Sequence, residues 1–174
     1  GVEELLRRVP FRLEPIPWCR EGFYFEPEED RPGKHVYHAA GLYYIQEPSA
    51  MAPVEALDPR PGERVLDLCA APGGKTTQIA ARMRGRGLLV ANEIDPRRVK
   101  VLVENLDRLG VSHAVVLNEA PWRLSRRFVG FFDRILVDAP CSGEGMFRKD
   151  PDVCGRWSPR ATRRCADVPL EILD

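Results

Sequence analysis

Hydrophobic and polar positions change rhythm once along this chain, near Pro61. Beyond that point short apolar runs alternate with amphipathic stretches, the pattern of βαβ units around a parallel sheet. Arg64 to Leu68 (RVLDL) predicts a first strand, a turn of small residues (CAAPGG) follows, and Lys75 to Arg84 predicts a helix with Ile79, Ala80 and Met83 at helical spacing. Gly87 to Ala91 (GLLVA) predicts a second strand. Pro96 to Leu109 predicts a second helix, with Val99, Leu102, Val103, Leu106 and Leu109 on one face and Gly110 as its stop. Ala114 to Leu117 and Phe132 to Val137 predict the third and fourth strands, and a further helix is expected around Pro159 to Ala166.

The leader has a different texture. Pro10, Pro15, Pro17, Pro27, Pro32, Pro48, Pro53 and Pro59 punctuate it, with Phe11, Trp18, Phe23, Tyr24, Phe25, Tyr37, Tyr43 and Tyr44 between them. Proline fixes φ and breaks helices, so loops and short strands packed on a neighbour are expected. One short helix, Pro48 to Leu57 entered through Ser49, is the exception.

Composition narrows the function. Lysine and arginine number 26 and so do aspartate and glutamate, which excludes a basic or acidic tail as the basis of activity; nucleic-acid affinity has to come from local clustering. No apolar run approaches the roughly 18 to 20 residues of a membrane helix, and the start has no signal-peptide layout, so the chain reads as a soluble, cytoplasmic protein without a membrane partner. Five cysteines without a C-x-x-C pair indicate reduced thiols, neither a disulfide framework nor a zinc or other metal site.

In a parallel α/β sheet the ligand sits beyond the carboxyl ends of the strands, where a glycine-rich turn lets backbone come close. Each strand end here carries chemistry. Asp67 to Lys75 (DLCAAPGGK) follows the first, Asn92-Glu93 the second, with a carboxylate about 20 residues past the glycine turn where ribose hydroxyls are bound. Asp138 to Gly143 (DAPCSG) follows the fourth. A rival reading takes Gly74-Lys75-Thr76 for the end of a phosphate-binding P-loop and Asp138 for its magnesium ligand. That motif requires glycine where Cys69 stands and leaves Glu93 and the Pro-Cys pair without a role.

Asp67 to Thr77 (DLCAAPGGKTT), Ala91-Asn92-Glu93 with Arg98, and Asp138 to Gly145 (DAPCSGEG) together resemble the RNA cytosine-5 methyltransferases of the Sun/Fmu family, in particular the bacterial ribosomal-RNA members. The resemblance extends over Gly41 to Met51 (GLYYIQEPSAM) and Met146 to Asp152 (MFRKDPD). It implies a Rossmann-like α/β sheet of strand order 3-2-1-4-5-7-6, of which the first four strands are legible. Residues 1–60 then form an N-terminal extension packing on a partial catalytic domain, 61–174. It also implies S-adenosylmethionine as cofactor, RNA as partner, and methyl transfer to carbon 5 of cytidine through a covalent cysteine adduct. Family members usually carry an aspartate after the third strand, where this chain reads Asn118-Glu119-Ala120, and their catalytic region continues beyond residue 174.

Carbon 5 of cytosine is a poor nucleophile until a thiolate adds at carbon 6, so the chemistry needs a cysteine, a base and donors that hold the ring. In the resembled family the nucleophile belongs to a Thr-Cys pair, which this chain lacks, and the Pro-Cys cysteine assists product release. Cys141 takes the release role by that resemblance, with the nucleophile role as the alternative. Asp138 is expected at the pyrimidine edge and Lys75 near the transferred methyl. Cys69, Ala70, Ala71, Pro72, Gly73, Gly74, Lys75 and Asp138 are expected around the methionine part of the cofactor, Glu93 at the ribose, and Asn118 or Glu119 near the adenine. Arg148, Lys149 and Arg156, with Arg160, Arg163 and Arg164 beyond and Trp157 for stacking, are the candidate RNA contacts. The chain alone is expected to be catalytically inactive, with a fourth strand left uncovered at Ile135 and Val137, and a fragment that binds cofactor or RNA without turnover is the competing reading.

Overall fold

The computed structural model describes residues 2–139 together with Ser158 and Arg163. Its centre is a four-stranded parallel sheet made of β3 (Arg64–Asp67), β4 (Leu88–Asn92), β5 (Ala114–Leu117) and β6 (Arg134–Leu136), in the order β5-β4-β3-β6. The first strand of the sheet is therefore interior, and the chain grows outward to β5 before crossing back to β6. This is the start of the strand order that the resemblance implies. In register, Asp67 lies beside Ala91 on one side and Leu136 on the other, and Asn92 beside Leu117. The chemically useful strand ends thus share one edge.

Successive strand residues point to opposite faces, and both faces are covered. Val65 and Leu89 pack with Ile79, Ala80 and Met83 of α5 (Gly74–Met83) and Val54 of α4 (Pro48–Leu57). Leu66 and Val90, one residue on, face Leu124 of α7 (Pro121–Arg127) with Phe128 and Phe132 beside it. Ile79, Met83 and Leu89 are fully buried, each contributing about 1.5 to 3 kcal/mol.

Helix α6 (Pro96–Arg108) begins as its sequence dictates: Asp95 caps it by accepting from the Arg97 N–H at 2.8 Å, and Pro96 occupies the first turn. It seats Leu102 and Leu106 against Ala70, Ala71 and Ala91. Val103, expected on the same face, is 37% exposed, because the buried stripe narrows to these two leucines. Helix α4 has the predicted span but is entered one residue before Ser49, at Pro48, after an extended Glu47.

The leader holds more helix than its prolines suggested. α1 (Val2–Arg8) precedes the antiparallel pair β1 (Glu14–Ile16) and β2 (Cys19–Tyr24), and α2 (Pro27–Asp30), a 3₁₀ turn at Pro32–Lys34 and α3 (Val36–Ala39) follow. Buried Cys19 anchors this segment: its Sγ donates to Glu55 Oε1 of α4, which also accepts from Gln78 of α5, while Arg82 pairs with the other oxygen of Glu55. Cys19 Sγ, Glu55 and Glu21 lie close enough to share an ion, but Arg82 and Gln78 already engage Glu55. At the amino ends of the central strands Arg64 pairs with Asp133 and Arg134 with Glu63, which holds both carboxyls below their ordinary range. Ile135 is 52% exposed on β6. No helix among the described residues is long and apolar enough to cross a membrane. The predicted helix at 159–166 lies outside the described residues except for Arg163, which is helical and exposed.

Candidate functional site

Beyond β3 the chain turns sharply, and neighbouring strand ends pin the turn. The Leu68 N–H donates to the Leu136 carbonyl at 2.9 Å and the Ala70 N–H to the Asn92 carbonyl at 2.8 Å. Asn92 is itself 1% exposed and fully used: its amide donates to the carbonyls of Leu68 and Glu119 and accepts from the Glu119 N–H, all at 3.0 to 3.1 Å. One side chain therefore clips the ends of three chain segments. Gly73 enters α5 with φ +112°, a backbone conformation that favours glycine. At Gly74 a Cβ would come within 2.6 Å of Gln46 Oε1 and 2.9 Å of Tyr44, so only glycine lets the leader approach this closely.

The resulting cleft has a volume of about 210 Å³. Of the predicted cofactor residues Cys69, Ala70, Ala71, Pro72, Gly74, Lys75 and Asp138 line it, and Tyr44, Ile45 and Gln46 supply the facing wall. A larger, mostly apolar cavity of about 320 Å³ lies under the leader and shares Tyr44, Ile45, Gln46 and Gly74 with it. The smaller cleft holds the polar groups. Gly73, Glu93 and Asn118, also expected around the cofactor, are not among the residues that line it.

Lys75 and Asp138, which the sequence assigns separate roles, meet: Nζ lies 2.6 Å from Oδ2, tying the first turn of α5 to the end of β6. Behind them Asp67 is 1% exposed; Oδ2 accepts from Thr76 Oγ1 at 2.7 Å, while buried Oδ1 finds no hydrogen-bond partner among the described residues. Burial pushes its carboxyl up to about 6, against the opposing pull of the Thr76 hydrogen bond and Lys75. Burial, with the charges of Glu93, Asp67 and Asp138, also pushes the Cys69 thiol up to about 11, which disfavours its thiolate.

Glu93 is 2% exposed. Its Oε1 accepts from the Asp95 N–H at 3.0 Å, and its Oε2 lies 3.1 Å from a nitrogen of Arg98 without hydrogen-bond alignment. Asn118 is exposed and donates to the carbonyls of Glu93 and Ile94 at 2.7 and 3.0 Å, holding the turn after β4. Cys141, Arg148, Lys149 and Arg156 lie outside the described residues. Sequence reasoning assigned no role to Asp67, Asn92 or the Tyr44–Gln46 wall; the stretch GLYYIQEPSAM was the available signal for the last.

Residues 54–174 match the sequence profile of the family described as 16S rRNA methyltransferase RsmB/F. The chain belongs to this family. Residues 1–48 match a second profile, the N-terminal domain of 16S rRNA methyltransferase RsmF. Among similar proteins, the ribosomal RNA small subunit methyltransferase F of Serratia proteamaculans is 48% identical over 98% of this chain, and that of Salmonella newport is 47% identical over the same share. The chain spans 36% of the length of each. The fold is also seen in solved structures. A methyltransferase homologue from Pyrococcus horikoshii superposes with a TM-score of 0.76 at 39% identity, covering 87% of this chain and 50% of that one. NSun6 from Pyrococcus horikoshii, solved with SFG, gives a TM-score of 0.72 at 27% identity over 81% of this chain and 36% of its own.

Proposed function

We propose that this RsmB/F chain forms the cofactor-binding part of an enzyme that methylates carbon 5 of a cytidine in small-subunit ribosomal RNA, acting in the cytoplasm. The observation that carries the reading is the convergence of the turn Cys69 to Lys75, Asp138 and buried Glu93 on one sheet edge, in a chain whose relatives are named ribosomal RNA methyltransferases. S-adenosylmethionine, when bound, supplies an electrophilic methyl group. Its needs fit the residues present: ribose hydroxyls and an ammonium are donors and cations, and two buried carboxylate oxygens, Glu93 Oε2 and Asp67 Oδ1, lack hydrogen-bond partners among the described residues. A neighbour solved with SFG, an S-adenosylmethionine analogue, supports the same cofactor.

Glu93 holds the ribose, the Cys69–Gly74 turn approaches the methionine part, and Asn118 fixes the β4 turn beside the adenine. Lys75 and Asp138 form the polar floor on which the base is oriented, with the Asp138 carboxylate accepting from the pyrimidine edge while Lys75 balances its charge. Cys141 assists expulsion of the thiolate adduct after transfer, and Arg148, Lys149 and Arg156 contact the RNA backbone.

The test is trapping. In the intact protein, Cys141→Ser should accumulate a covalent protein–RNA species on a denaturing gel with S-adenosylmethionine present. Complete loss of that species would make Cys141 the nucleophile, and absence of methyl transfer to ribosomal RNA by the wild type would overturn the proposed activity.

A further inference from the structure

We infer that Arg98 is a positioning residue for the cofactor, acting through Glu93; the inference rests on the reading of Glu93 as the ribose acceptor. Arg98 sits in the first turn of α6 and reaches two parts of the site. One guanidinium nitrogen donates to the Ala71 carbonyl at 2.5 Å, inside the glycine-rich turn, and the other lies 3.1 Å from Glu93 Oε2. The guanidinium is thus anchored by backbone on one side and presented to the carboxylate on the other.

The geometry at Glu93 is unusual in a useful way. A carboxylate that is 2% exposed needs a counter-charge, and the nearby buried acid Asp67 only adds repulsion. Lys75 is taken by Asp138, so Arg98 is the cation paired with Glu93 among the described residues. Yet its contact with Oε2 lacks hydrogen-bond alignment, and Oε2 remains a buried acceptor with no donor. Charge is compensated while the lone pairs stay open. That combination suits a ligand hydroxyl: the Asp95 N–H fixes Oε1, Arg98 fixes the direction of Oε2, and the acceptor is left for the ribose. The anchor at Ala71 couples this direction to the turn that meets the other end of the cofactor.

The experiment is a calorimetric titration of the intact protein with S-adenosylhomocysteine, using R98M, E93Q and the double variant, with R98K as a second probe of the same site. R98M should weaken binding by about tenfold to a hundredfold, the equivalent of one charge-assisted contact. The double variant should bind within about twofold of E93Q alone, since Arg98 then has no carboxylate to direct. R98K keeps a charge opposite Glu93 but cannot hold Ala71 with a second nitrogen, and should fall between wild type and R98M. Wild-type affinity in R98M or R98K, or fully additive losses in the double variant, would overturn the inference while leaving the ribose reading intact. Wild-type affinity in E93Q would instead overturn the ribose reading itself.

Discussion

Asp67→Asn removes a titration that the fold places in its own interior. The carboxyl is fully buried at the end of β3, bonded to Thr76 through one oxygen, and pushed up to about 6 from its usual 3.8. An acid whose folded-state value is raised binds its proton more tightly when folded, so its contribution to stability is complete below 3.8 and is lost as pH rises through 6. The difference of about 2 units corresponds to about 3 kcal/mol across that window. Asparagine keeps the Thr76 hydroxyl bonded but does not titrate. Where its amide finds an acceptor sets a constant offset between the two proteins, and that offset cancels in the comparison. Urea unfolding of wild type and variant, followed by circular dichroism from pH 3 to pH 8, should show the variant gaining about 3 kcal/mol on the wild type as pH rises. The acids at the other sheet edge, Glu63 and Asp133, are the same in both proteins and drop out. Parallel stability curves would refute the reasoning and would mean that Asp67 ionises in the folded state as freely as in water.

Other parts of the site answer to simpler measurements. Asn92→Ala orphans the carbonyls of Leu68 and Glu119 and the Glu119 N–H, and should cost about 2 to 4 kcal/mol in chemical denaturation. Gly74→Ala puts a methyl group against Gln46 and Tyr44 and should cost about 1 to 3 kcal/mol in denaturation while weakening S-adenosylhomocysteine binding. Leu102→Ala opens a cavity beneath Ala70 and Ala71 and should cost about 2 to 5 kcal/mol by denaturation, with the cofactor losing affinity as the turn loosens.

The sheet was legible because its signals are local. Val65, Leu66, Leu89 and Val90 form apolar runs bounded by turn residues, and Ile79, Ala80 and Met83 fall on one helical face; all are buried. Helix α6 carried both its start, Asp95-Pro96, and its stop, Gly110, in the chain itself. The helices α1, α2, α3 and α7 were not foreseen, since each spans no more than seven residues and draws its stability from what it packs against rather than from periodicity. In the site, the identities of the strand-end residues could be read but not their partnerships. Lys75 and Asp138 are 63 residues apart in sequence, Arg98 and Ala71 are 27 apart, and Gln46 meets Gln78 across 32. No local pattern encodes such meetings, because each depends on which strands become neighbours.

The wall that Tyr44, Ile45 and Gln46 lend to the cleft bears on how this protein can be cut and recombined. The two family profiles divide the chain between residues 48 and 54, a seam that looks natural in sequence, yet Ala50 within it lines the cleft. A chimera joined there would inherit its glycine turn from one parent and the facing wall from another. Gly74, which has no room for a methyl group against Gln46, would then test every such pairing for fit. A graft that preserves the pocket has to take leader and sheet from the same source.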